Sequence, residues 1–240
     1  MCTNSAKVYV DVEAHFCKDG QLLPTAIIWE DGRRYEIDRI TQVTSNRFLN
    51  FFELDITKKT GAKGRYFVAS RAKEVDDLEI RRGETRADGV VMYVICGEKR
   101  DKVLLIRQFR WPIGQFVYEF PAGLVEAGED YREAAVREVW EETGLKLTPV
   151  DADPMFERPY YMTDGMTDEA CAFVYGYGEG DIRDQHLEDS EEIQVILADR
   201  DEVRRILREE RVAGNCALQM MHFISDAEPF GFLHLSAKKE

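Results

Sequence analysis

Several familiar features are missing from this 240-residue chain. Its five cysteines, Cys2, Cys17, Cys96, Cys171 and Cys216, form no CxxC pair and no Cys/His cluster. That excludes a cysteine-built metal framework and argues for reduced, partly buried thiols. No apolar run is long enough to span a bilayer, and the opening MCTNSAKVYVDVEAHF has no apolar segment of the secretory kind. The expectation is a soluble, cytoplasmic protein with no membrane partner. Positive charge is also short: 32 Lys and Arg face 46 Asp and Glu, a formal net charge of -14. Such a chain gains nothing electrostatically from a phosphate backbone, so nucleic acid is not an expected partner. A small phosphorylated ligand stays compatible with it, because metal ions and a few arginines reverse the field locally. Repeats and low-complexity stretches are absent. What is present is 44% hydrophobic and 11% aromatic, enough for a packed core. The length suits one large domain, or one plus a small module.

The first part reads as β structure. KVYVDVEAHF alternates apolar and polar residues, and TAIIWEDGRRYEIDRI places Asp31-Gly32 between alternating flanks, a strong hairpin signal. Thr44-Ser45-Asn46 is a plausible joint, which gives a small N-terminal β module at 1–45 and a main domain at 46–240. RFLNFFELDI and GRYFVASR read as strands joined by KKTGAKG, and VVMYVICGEKRDKVLLIRQFR as a hairpin turning at Gly97–Arg100. FVYEFPAG is a strand running into a Pro-Ala-Gly turn. Residues 130–143 are helical, ACAFVYGYG and EEIQVILA are strands, and DRDEVRRILREE is an amphipathic helix capped by Asp199 or Asp201. NCALQMMHFI is a final, more buried helix. Many antiparallel strands with few helices give an α+β class, a mixed sheet packed by helices.

The chemistry concentrates in EFPAGLVEAGEDYREAAVREVWEETGL, residues 119–145. On a helix over 130–143, Glu138 and Glu142 stack on one face and Glu141 borders it. Three ionised carboxylates there repel one another unless a cation lies between them, and hard oxygen donors suit Mg²⁺ or Mn²⁺. Arg137 has Glu133 and Glu141 within helical reach. Ala134, Ala135, Val139 and Trp140 supply an apolar side, and Gly144 ends the helix. A solvated charged face would need the same composition, but not the same spacing. Five residues separate Gly123 from Glu129, and seven more lead to Arg137-Glu138-Val139, followed by Glu141-Glu142, Gly144 and Leu145.

In that spacing, 123–145 resembles the signature of the Nudix hydrolases without a gap or substitution. The flanking pattern extends the resemblance from about Arg47 to the C-terminus. It implies an α/β/α sandwich around a mixed β-sheet, and hydrolysis of a nucleoside diphosphate linked to another group. It also implies a divalent metal, Mg²⁺ with Mn²⁺ as the alternative. Carried over position by position, the metal ligands are Glu138, Glu142 and Glu141 with the carbonyl of Ala122. Arg137 and Glu129 match the pair that braces the loop against the helix, and Arg137 and Glu141 count among the catalytic group.

LLIRQFRWPIGQFVYEFPAGLVEAGE looks like the ADP-ribose and nucleotide-sugar pyrophosphatase branch. Arg110 matches a substrate-contacting arginine and Glu119 a glutamate near the metal. Thr163-Asp164-Gly165-Met166-Thr167-Asp168-Glu169 resembles the loop that reads Ser-Pro-Gly, two residues, Ser-Glu in ADP-ribose relatives. Gly165 and Glu169 correspond, with Glu169 toward the terminal ribose, while Asp164 replaces the proline. The catalytic base of the branch comes from a late acidic loop, here HLEDSEEIQV, where Glu191 aligns best and Glu188 is next. Relatives stack adenine on aromatics that precede the catalytic domain, often from the partner of a swapped dimer. Phe48, Phe51 and Phe52 are candidates, with Trp29 and Trp111, and Arg47 and Arg71 are candidate phosphate ligands. The resemblance therefore implies a homodimer acting on a nucleotide sugar. ADP-ribose is the first substrate, UDP- or GDP-sugars the alternative, and a non-catalytic ligand sensor on the same fold the alternative of another class.

Overall fold

A computed structural model describes residues 11–16, 18, 22–28, 34–183 and 192–233. The chain divides into two compact units, one of Met1–Thr85 with Tyr161–Glu169, the other of Arg86–Tyr160 with Ala170–Glu240.

The first unit is an antiparallel meander of β1 (Asp11–Phe16), β2 (Leu22–Ile28), β3 (Arg34–Gln42), β4 (Asn50–Thr57) and β5 (Lys63–Ser70), in that spatial order. Alternation along β4 turns Phe52 and Leu54 inward against Leu78, Ile37, Ile40 and Val68. The one-turn helix α1 (Glu79–Arg82) follows. Asp31 and Gly32 lie outside the described residues, but their flanks do pair, Ile28 with Arg34. The division at Thr85/Arg86 differs from a boundary at residue 45. Thr44–Asn46 is a loop inside the unit: β3 and β4 pair from Gln42↔Phe52 to Glu36↔Thr57, and Asn50 Nδ2 donates to the carbonyls of Asn46 and Ala72. A turn signal between two strands of one sheet looks locally the same as a linker.

The second unit is the sandwich. Its strands are β6 (Gly89–Cys96), β7 (Lys102–Arg110), β8 (Gln115–Glu119), β9 (Ala122–Leu124), β10 (Lys146–Pro149), β12 (Ala170–Glu179) and β13 (Ile193–Ala198). β11 (Tyr160–Tyr161) lies where the chain passes from one unit to the other. The sheet runs β10-β12-β6-β7-β13, with β8 beside β7 and β9 beside β6. β12 and β6 are parallel and the other pairs named are antiparallel, so the sheet is mixed. All eight residues of β6 are buried, as a central strand covered on both faces requires. Val90, Met92 and Val94 face Ala134, Ala135 and Val139 of α2 (Tyr131–Thr143). Val91, Tyr93 and Ile95 face Val203 and Ile206 of α4 (Arg200–Glu209) and Cys216, Met220 and Phe223 of α5 (Gly214–Ser225). The short α3 (Pro154–Glu157) packs beside β12. Asp199, not Asp201, caps α4, accepting from the amides of Asp201 and Glu202.

One expected turn is a strand. Ala122–Leu124 pairs with β6 through Val91↔Ala122, Val90↔Gly123 and Gly89↔Leu124. Pro121 supplies only a carbonyl, which accepts from the Met92 amide, so a proline at the strand entrance costs no ladder bond. Among the described residues no helix is long and apolar enough to cross a membrane.

Candidate functional site

The site is built on α2 and the strand that faces it. Asp130 caps the helix by accepting from the Arg132 amide, and Gly144 ends it at φ 74°, where glycine carries no side-chain penalty. Ala134, Ala135 and Val139 form the buried stripe. Glu142 is buried with them, at 4% exposure. Trp140 is not part of that stripe: it is 47% exposed, because it projects to the far side of the helix.

Arg137 organises the acidic residues. Its Nε and Nη2 donate to the two carboxylate oxygens of Glu129 at 3.0 and 2.9 Å. Nη1 donates to Glu138 at 2.7 Å and Glu141 at 3.0 Å, and Nη2 also reaches the carbonyl of Leu124 at 3.0 Å. One planar guanidinium thus ties the β9–α2 loop to the helix and holds two candidate metal ligands side by side, which a lysine could not do. Glu129 also accepts from the Glu126 amide, and Arg137 holds the Glu129 carboxyl below the usual carboxylate range. The same carboxylates raise the Arg137 pKa. Glu133, an equally good partner by helical spacing, is exposed; the bidentate fork selects Glu129 instead.

Gly123 explains how β9 meets the helix. A Cβ there would overlap the Glu138 carboxylate, so the bare Cα is the seat of that group, next to the Ala122 carbonyl in the chain. The donor chemistry suits a hard divalent cation: carboxylate oxygens from Glu138, Glu141 and Glu142, and a backbone carbonyl. Among the described residues no three acidic, His or Cys side chains already close into a metal cage. Glu138 and Glu141 lean on Arg137, and that positive charge offsets their repulsion.

Nearby in the chain, Arg110 ends β7 and its fork holds the Glu119 carboxylate of β8, with Nε at 2.9 and 3.0 Å from the two oxygens and Nη2 also in contact. Trp111, next to Arg110 in the chain, is 76% exposed and meets the Phe109 ring edge-on. Arg47, Arg71, Phe48, Gly165 and Glu169 belong to the first unit. Arg71 Nε donates to Glu169 at 2.7 Å, and the carbonyl of Gly165 accepts from the Tyr66 hydroxyl at 2.7 Å. Arg47 lies over the Phe48 ring, 4.8 Å from its centroid. Phe48 and Phe51 are 54% and 41% exposed, whereas Phe52 is at 0% and belongs to the core, so it offers no stacking surface. Glu188, Glu191 and Trp29 lie outside the described residues; Glu192, which is described, accepts from the Phe109 amide through its carbonyl. Sequence reasoning missed the Leu124 carbonyl as an Arg137 acceptor and Gly123 as the seat of Glu138. A backbone carbonyl leaves no trace in sequence, but the fixed glycine was a usable signal.

A mixed sheet between helices, with an arginine-braced acidic helix over a glycine strand, is the architecture of one class of domain. The NUDIX domain family matches residues 85–215, and the chain belongs to it. An ADP-sugar pyrophosphatase of Mus musculus is 32% identical over 116 residues, covering 48% of this chain and 53% of that one. An ADP-ribose pyrophosphatase of Bacillus subtilis is 32% identical over 103 residues, covering 40% and 52%. The chain spans about half the length of these curated relatives. Its fold is similar to the crystal structure of an ADP compounds hydrolase, with a TM-score of 0.55 at 17% identity, covering 79% of this chain and 91% of that one.

Proposed function

We propose that the chain hydrolyses the diphosphate bond of a nucleoside diphosphate sugar, with ADP-ribose as the preferred substrate, giving AMP and ribose 5-phosphate. Mg²⁺ is the proposed cofactor, replaceable by Mn²⁺. The observation that carries this reading is the Arg137 fork, which brings Glu138 and Glu141 together beside the buried Glu142. The names of the two pyrophosphatases support the substrate class.

Glu138, Glu141, Glu142 and the Ala122 carbonyl would hold the metal. When bound, such an ion neutralises the diphosphate, lowers the pKa of an attacking water and stabilises the leaving phosphate. The chain's own groups do the rest. Arg137 fixes the two carboxylates against their repulsion, and Gly123 leaves room for one of them. Arg110, oriented by Glu119, offers a planar cation to a phosphate. In this proposal Glu191, or failing it Glu188, takes the proton of the attacking water. Arg47 and Arg71 are phosphate ligands, Phe48 stacks on the base, and Glu169 with the Gly165 backbone reads the terminal ribose. A cytoplasmic homodimer belongs to the same proposal.

The test is incubation with ADP-ribose, UDP-glucose, GDP-mannose and NADH plus Mg²⁺, with released nucleotides separated by chromatography and Glu142→Gln run in parallel. AMP from ADP-ribose, lost in the variant, is the expected result. Release from UDP- or GDP-sugar alone keeps the chemistry and moves the substrate. No turnover by folded, metal-loaded protein overturns the enzyme reading in favour of a ligand sensor.

A further inference from the structure

Among the described residues two acidic side chains are buried, Glu142 and Glu157. The first belongs to the site above; the second does not. Glu157 is the last residue of α3, at 3% exposure, and both its oxygens accept from Arg132 Nη2, at 2.8 and 2.7 Å. Arg132 sits in the first turn of α2, and its Nη1 lies 3.4 Å from Asp151. Beside Glu157, the Phe156 carbonyl lies 3.4 Å from the Tyr175 hydroxyl of β12. The pair therefore anchors the start of α2 to an element packed on the sheet's central strands. Burial of an ion pair brings little net stability, since two apolar side chains of similar volume would serve as well. What it adds is direction.

The direction matters because α2 rests on the sheet through small residues, Ala134, Ala135 and Val139. At about 100° per residue, Arg132 projects about 80° to one side of the buried stripe, and Glu141 about 100° to the other. Arg137 grips the helix on the Glu141 side, through Glu129 and the Leu124 carbonyl. We propose that Arg132 and Glu157 are positioning residues that oppose the Arg137 brace and set the roll of α2, and so the aim of Glu138, Glu141 and Glu142 at the metal. The proposal rests on the metal-site reading above.

The experiment is a direct titration of the full chain with Mn²⁺, followed by electron paramagnetic resonance, on the wild type, Arg132→Lys and the double variant Arg132→Met/Glu157→Leu. The double variant removes the pair without leaving a buried charge. It is expected to melt close to the wild type while its Mn²⁺ dissociation constant rises about 10–100-fold, the range for partners that orient metal ligands. Arg132→Lys, which keeps the charge and loses the second arm toward Asp151, is expected to fall between. Wild-type Mn²⁺ affinity in a folded double variant overturns the proposal and leaves the site reading standing. If the double variant does not fold, Arg132→Lys decides by the same titration, and unchanged affinity there overturns the proposal. Absence of Mn²⁺ binding by the folded wild type overturns the site reading and this proposal together.

Discussion

The glycine beneath Glu138 gives the sharpest test of the site's geometry. Gly123 is not in the left-handed region, so alanine fits its backbone without strain and would by itself stabilise by about 0.4–1 kcal/mol through the unfolded chain. Its Cβ, however, would overlap the Glu138 carboxylate. The obstacle is the end of a flexible side chain, so the fold survives and Glu138 retreats, by about 1.5 Å from the 1.9 Å overlap to ordinary contact at 3.4 Å. A shift of that size at a catalytic group costs about 100-fold in rate, or about 2.7 kcal/mol of barrier.

Gly128 supplies the matched control. It has φ 84° and nothing within 4 Å of a built Cβ, so alanine there meets strain and no obstacle. Gly128→Ala should lose about 1–2 kcal/mol of stability, roughly 2–8 °C in Tm for a chain of this size, with little change in kcat. Gly123→Ala should do the reverse, keeping Tm within a few degrees and losing about two orders of magnitude in kcat/KM. Differential scanning fluorimetry and the nucleotide-release assay read both. Full activity in Gly123→Ala would refute the reasoning, because Glu138 would then have no need of its present seat.

Three other outcomes follow from the packing and charge. Arg137 depresses the Glu129 pKa, so the stability this pair adds is present above the ordinary carboxylate range and is lost as pH falls through the lowered value; a Tm series from pH 6 down to pH 2.5 should be steeper for wild type than for Arg137→Met. Phe52→Ala should cost the first unit about 3–5 kcal/mol in chemical denaturation, against less than about 0.5 for the exposed Phe48→Ala. Burial pushes the Cys96 thiol up to about 11, so it should resist thiol reagents at pH 8 until the protein is unfolded, as read by peptide mass mapping.

The acidic helix was legible because its chemistry is local. Cap, apolar stripe, glutamates and terminal glycine all lie within one stretch, and the structure places the helix at Tyr131–Thr143 between the expected ends. The Arg137–Glu129 brace came from resemblance alone, since helical spacing pointed to Glu133 and Glu141, of which Glu141 is the one that pairs. The unit boundary was not legible, because strand pairing between β3 and β4 is a non-local fact and the loop at 44–46 carries the same residues a linker would. The inward turn of Phe52 beside the outward Phe51 needed the register of β4, and a one-residue slip exchanges their faces. Glu157 escaped notice because its partner is 25 residues away, and nothing in PMFE sets it apart from a surface acid.

The charge balance around α2 sets how the fold should respond to cations. One guanidinium serves Glu129, Glu138 and Glu141, with Glu142 buried alongside, so the native state concentrates negative charge that the unfolded chain disperses. A cation that binds only the folded site stabilises it by mass action, about 2.7 kcal/mol at one hundred times its dissociation constant. For a chain of this length that is about 5–11 °C in Tm. Mg²⁺ should therefore raise Tm in a saturable way, EDTA should return it to the starting value, and K⁺ at matched ionic strength should not substitute. Glu142→Gln should start no lower than wild type, since it relieves repulsion, yet should respond less to Mg²⁺. A Tm indifferent to Mg²⁺ up to millimolar concentrations would mean that Arg137 alone is the counter-charge for this helix, and that its carboxylates form a structural brace rather than a metal site.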